Sequence, residues 1–210
     1  MPSRMTFTYW FFKNLAKLLA KIIFRFRVIH PERLPQSGGL ILAANHLSYF
    51  DPPLVGICSN RAVHYLARKT LMEWPFFGPL FPDMNVIPVD RDGNDMSALK
   101  TVIRKIKEGE GVVLFPEGTR SRDGNLQPGQ AGVGLVIAKT LAPVVPVRIF
   151  GSYEAFPRGS KGVKLHPIRV VIGEPIHFTK EDVANADRET YRQLSQRVMD
   201  AIARLEPDEK

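Results

Sequence analysis

A single cysteine, Cys58, occurs in 210 residues, which excludes an internal disulfide framework and any zinc cluster built on cysteine. No stretch of 18 or more uncharged apolar residues is present, so no standard transmembrane helix is expected. Gly-x-Ser-x-Gly is missing too, and with it the strained elbow that carries the nucleophile of many serine hydrolases. Neither a fixed-period repeat nor a low-complexity linker interrupts the chain, and its length suits one αβ domain with a proper core. Acidic residues are absent from residues 1–28, where Arg4, Lys13, Lys17, Lys21, Arg25 and Arg27 stand unopposed. Those six cations account for most of a net charge of +8. Such a surplus points to an anionic partner: nucleic acid, phosphorylated metabolites or an anionic membrane.

Lys13, Lys17, Lys21 and Arg25 recur at every fourth position. On a helix they fall within an arc of roughly 120°. Phe11, Phe12, Leu15, Leu18, Leu19, Ile22, Ile23 and Phe26 fill an arc of roughly 140° on the other side, with Trp10 and Phe24 outside it. Bulky apolar groups opposite ammonium groups are the composition of a helix lying in a membrane interface. A signal peptide is disfavoured, because the lysines interrupt the apolar core and no small-residue cleavage site follows. A helix packed on its own domain, or on a protein partner, is the competing reading. The expected organisation is a basic amphipathic membrane-association helix over residues 1–29 and an αβ domain over residues 30–210.

Pro31 and Pro35 end the helical pattern. Short apolar runs at 40–44, 62–67, 86–89, 112–115, 144–149 and 168–172 read as strands. Helical spacing over 95–107 and 130–140, and from about residue 179 past Ile202, places helices between and after them. Asp51-Pro52-Pro53 reads as a further helix start, with Asp51 as N-cap and proline in the first helical positions. This alternation predicts an α/β fold: one mixed, largely parallel sheet flanked by helices. In such sheets functional groups gather on turns beyond the strand ends.

Three of those turns are rich in polar groups. His46 directly follows a strand and Asp51 follows five residues later, close enough for the carboxylate to fix the imidazole tautomer while the other nitrogen takes a proton. The alternative is that Asp51 only caps its helix and His46 is a hydrogen-bonded loop residue. The other two turns are Asp90-Arg91-Asp92-Gly93 and Pro116-Glu117-Gly118-Thr119-Arg120-Ser121.

The segment His46-Leu47-Ser48-Tyr49-Phe50-Asp51 together with Phe115-Pro116-Glu117-Gly118-Thr119-Arg120-Ser121 resembles the signature pair of the glycerolipid acyltransferases, the family of bacterial 1-acyl-glycerol-3-phosphate acyltransferase. Val86-Ile87-Pro88-Val89-Asp90-Arg91 resembles the family's second block, and Val144-Val145-Pro146-Val147 its fourth, in the right order over roughly residues 25–180. Asn85 stands where the second block usually opens with glycine, and Arg68-Lys69 where a single lysine is frequent.

The resemblance implies transfer of a fatty acyl group from acyl-CoA or acyl carrier protein to a lysophosphatidic acid hydroxyl, on the cytoplasmic face of an anionic phospholipid membrane. No cofactor beyond the thioester co-substrate is implied, and no metal. It makes His46 the base and Asp51 its orienting carboxylate. Arg91 and Arg120 become phosphate ligands, with Arg68, Lys69, Glu117, Gly118 and Thr119 completing the substrate site. Guanidinium suits phosphate because it presents two donors in one plane. Glycerol 3-phosphate or another lysolipid is an alternative acceptor, and a non-catalytic lipid-surface protein an alternative class. Ser48 and Ser121 lack an elbow, and Cys58 lies in an apolar stretch that suits a buried residue. A nucleic-acid binder is disfavoured because the basic residues sit beside bulky apolar ones and no binding signature appears.

Overall fold

The computed structural model describes residues 5–75, 78–90, 96–184 and 187–207. Among them, seven strands form one sheet: β1 (Arg27–Ile29), β2 (Leu40–Ala44), β3 (Val63–Arg68), β4 (Val86–Val89), β5 (Gly111–Leu114), β6 (Val144–Phe150) and β7 (Arg169–Ile172), in the order β1-β7-β6-β2-β5-β3-β4. All neighbours are parallel except β6 and β7. The helices are α1 (Phe7–Phe24), α2 (Asp51–Cys58), α3 (Met96–Lys107), α4 (Ala131–Thr140), the single turn α5 (Ser152–Ala155) and α6 (Arg188–Ala203).

β2 explains the layering. It is central and wholly buried, so its sequence is a continuous apolar run whose alternate side chains serve two cores. Leu40, Leu42 and Ala44 pack with Ala20 and Phe24 of α1 and Leu54, Val55 and Ile57 of α2. Ile41 and Ala43 face the other way, against Val102 of α3, Val136 and Ile137 of α4 and Val198 and Ile202 of α6. Two glycines inside α4, Gly132 and Gly134, are individually unfavourable for a helix. Gly134 has a packing reason: a Cβ there would lie 1.8 Å from the Tyr191 carbonyl oxygen, and its N–H donates to Ser195 Oγ at 2.9 Å.

Three expectations need correction. The last helix begins at Arg188 rather than near residue 179. Thr179 and Asp182 satisfy each other's amides in a separate turn, and Asp187 caps the helix by accepting from Thr190 N. β1 lies inside the segment assigned to the helix, paired in parallel with β7. Lys13 does not join a lipid-facing basic arc. It shares the docked side of α1 with Tyr9 and Ala20, and its ammonium donates to the Ser59 carbonyl. The side of α1 away from the domain is apolar and open: Phe7 is 77% exposed, Ile22 69%, Leu18 55% and Trp10 50%. No described helix is long and apolar enough to cross a membrane.

Candidate active site

Because β2 and β5 are parallel neighbours with Ala43 opposite Leu114, the loops that leave their carboxyl ends emerge side by side. The first carries His46 and the second Glu117 and Arg120. Several bonds lock the pair. Asn45 accepts from Ile149 N at 2.7 Å and donates to Ile149 O at 3.0 Å, fixing the end of β2 to β6. Ser121 N donates to His46 O at 2.8 Å. Glu117 accepts from His46 N at 2.9 Å through one oxygen and from Gln127 N at 3.3 Å through the other.

His46 Nδ1 lies 3.0 Å from Asp51 Oδ2. The same oxygen accepts from Leu47 N and Ser48 N, both at 2.6 Å. The N-cap expectation for Asp51 is therefore overturned: Phe50 is the cap, Asp51 is the first helical residue, and its side chain turns back into the loop. The physical reason is the following pair of prolines, which offer no N–H for a carboxylate to cap. Asp51 is fully buried and the His46 side chain 16% exposed. A carboxylate on Nδ1 puts the proton there and leaves Nε2 as the basic nitrogen. The imidazole stacks on Phe115, ring centroids 4.0 Å apart, which sets its plane.

Burial pushes the Glu117 carboxyl up to about 7, against the lowering effect of the two amides it accepts from, and the Asp51 charge adds to the rise. Gly118 follows with φ +69, a conformation that side chains other than glycine rarely adopt. Thr119 is exposed. The Arg120 guanidinium lies 3.5 Å over the Tyr49 ring, and its Nη1 is buried with no hydrogen-bond partner among the described residues.

The remaining expected residues divide. Arg68 ends β3, and its charge reaches the Tyr49 hydroxyl. Lys69 is held by Asp90 at 2.5 Å. Arg91 lies outside the described residues. Tyr49 and Phe115 escaped the sequence reading because an aromatic beside a motif carries no signal until its ring is placed. Cys58 is buried, and burial pushes its thiol up to about 12, which makes it inert.

Residues 25–150 match the family model named Acyltransferase. The chain belongs to the acyltransferase family. It is 30% identical over 170 residues to the 1-acyl-sn-glycerol-3-phosphate acyltransferase of Bacillus subtilis, covering 80% of this chain and 82% of that protein. It is 31% identical over 186 residues to the chloroplast 1-acyl-sn-glycerol-3-phosphate acyltransferase LPAT1 of Arabidopsis thaliana, covering 87% of this chain and 52% of that one. The acyltransferase chain thus spans about half the length of this plant relative. The crystal structure of the 1-acyl-sn-glycerophosphate (LPA) acyltransferase from Thermotoga maritima has the same fold, with a TM-score of 0.75 at 24% identity over 95% of this chain and 81% of that chain.

Proposed function

We propose that this acyltransferase moves a fatty acyl group from acyl-CoA or acyl carrier protein to the free hydroxyl of 1-acyl-glycerol 3-phosphate, forming phosphatidic acid in phospholipid biosynthesis. The observation that carries the reading is the His46–Asp51 pair at 3.0 Å, set on the same loop pair as an arginine whose buried nitrogen has no partner among the described residues. The names of the curated relatives support the choice of acceptor.

A thioester is already activated, so no covalent nucleophile is required, nor any cofactor. His46 Nε2 takes the proton of the acceptor hydroxyl as its oxygen attacks the thioester carbonyl. The new C–O bond forms, the C–S bond breaks, and the imidazolium returns the proton to the departing thiolate. The buried Asp51 carboxylate stabilises the imidazolium between those steps. Arg120, with Arg91 and Arg68, neutralises the acceptor phosphate.

The acceptor lives in a bilayer and the donor is soluble, so the enzyme works at their boundary. The open apolar side of α1 enters the acyl region, with exposed Lys17, Lys21 and Arg25 among the headgroups of an anionic cytoplasmic leaflet. That makes the protein monotopic or peripheral.

The test is an acceptor panel with each thioester, read as product mass: lysophosphatidic acid, glycerol 3-phosphate and other lysolipids. Phosphatidic acid from lysophosphatidic acid is the expected main product. Fast acylation of glycerol 3-phosphate alone would move the acceptor assignment. No turnover on any acceptor, with lipid binding intact, would make this a binding protein.

A further inference from the structure

Tyr49 is 53% exposed and sits inside the loop between His46 and Asp51. Two structural segments converge on it. Arg120 stacks on its ring and keeps one buried nitrogen without a partner among the described residues. The turn after α5 is fastened to the same loop: Ser48 Oγ donates to Phe156 O at 2.7 Å, Ser48 bridges Pro157 in antiparallel fashion, and the Phe156 ring lies 5.5 Å from Tyr49 and 5.1 Å from Phe50. The next residue is Arg158, exposed, and it lies past the residues 25–150 that the family model covers. The Tyr49 hydroxyl is held below the ordinary tyrosine value by Arg120 first, with smaller contributions from the charges of Arg158 and Arg68.

We propose that Arg158 completes, with Arg120 and Arg68, a three-guanidinium cradle around Tyr49 that selects acceptors ending in a phosphomonoester over phosphodiester lysolipids. The inference rests on the acyl-transfer reading of the His46 site and narrows its acceptor class. Near pH 7 a phosphomonoester carries a charge of about −1.5 to −2 on three terminal oxygens. A phosphodiester carries one charge on two oxygens and fills fewer of the donors that three planar forks supply. Tyr49 is a positioning residue: its π-face holds the Arg120 fork in one orientation. Fastening by Ser48 and Phe156 makes the cradle part of the catalytic loop rather than a remote surface patch.

The experiment uses the full chain with lysophosphatidic acid and lysophosphatidylglycerol as acceptors and one acyl thioester. Arg158→Gln should raise the KM for lysophosphatidic acid about tenfold, the effect of losing one charge-assisted contact at an exposed site. The thioester KM should stay level, and the ratio of kcat/KM between the two acceptors should fall correspondingly. Arg158→Lys, which keeps the charge and loses the fork, should fall between. An equal loss on both acceptors, or a change in the donor KM alone, overturns the proposal. So does an unchanged Arg158→Gln enzyme whose Arg120→Gln counterpart still binds lysophosphatidic acid poorly; the acyl-transfer site would then stand without Arg158. If Arg120→Gln is also indifferent to the acceptor phosphate, the placement of that phosphate falls along with the cradle.

Discussion

Glu117 and Asp51 are both buried carboxylates of one loop pair, yet they hold different things. Glu117 fastens backbone amides of both loops, and its carboxyl is raised to about 7. An unfolded chain ionises this residue near its ordinary value of about 4.3. Stability from this group is therefore complete below that value and is lost as pH rises through about 7. Glu117→Gln has no proton to lose, so the wild-type melting temperature should fall relative to the variant between about pH 5 and 8. Calorimetry across that range checks it; parallel curves would mean that Glu117 keeps an ordinary titration. Asp51 is separated by a different pair of variants. Asparagine retains an oxygen for Leu47 N and Ser48 N but no charge for the imidazolium, while alanine loses both. Turnover should drop about 10²–10⁴-fold in each. Only Asp51→Ala should also melt markedly earlier, as read by thermal unfolding beside steady-state rates. The pairing of Asp51 with His46 was visible in the His-x4-Asp spacing. The donors it actually serves were not, because that depended on the loop curling back toward the carboxylate.

At the scale of the element, α1 shows what periodicity can and cannot tell. The apolar arc and the cations opposite it follow from spacing alone. Which side docks is decided by partners far along the chain, such as the Tyr65 hydroxyl 3.0 Å from that of Tyr9. Lys13 thereby moves from the lipid-facing set to the docked side, and burial pulls its ammonium below the ordinary lysine value. Three described cations remain for the headgroups, worth about 3 kcal/mol together at low salt at roughly 1 kcal/mol each. Replacing Lys17, Lys21 and Arg25 with Gln should weaken sedimentation with anionic vesicles and flatten its salt dependence, with little change on neutral vesicles. Lys13→Gln should leave vesicle binding near wild type and lower the melting temperature instead. Equal binding by the triple variant and wild type to anionic vesicles at low salt would show that α1 meets a protein partner instead. The start of α6 was misplaced for a related reason: Thr179 and Asp182 carry the capping pattern of a helix and spend it on one isolated turn.

Across the whole molecule, the buried strands β2, β5 and β6 announced themselves as apolar runs, because a parallel strand covered on both faces has no polar side to show. β1 was silent: three residues at a sheet edge, one of them Arg27, carry no such pattern. Strand order is the other thing that no local pattern states. It is the pairing of β2 with β5 that brings His46, Glu117 and Arg120 to one edge, and the attachment of the turn after α5 that adds Arg158. Everything proposed about catalysis passes through one nitrogen, His46 Nε2. Its removal leaves the Asp51 bonds to Leu47 N and Ser48 N in place, so the fold should persist. The decisive measurement is the turnover of His46→Ala on lysophosphatidic acid and an acyl thioester, taken on protein whose melting temperature matches wild type to within a few degrees. Direct transfer with His46 as base predicts a loss of at least about 10²-fold. Turnover near the wild-type rate in the folded variant would contradict it.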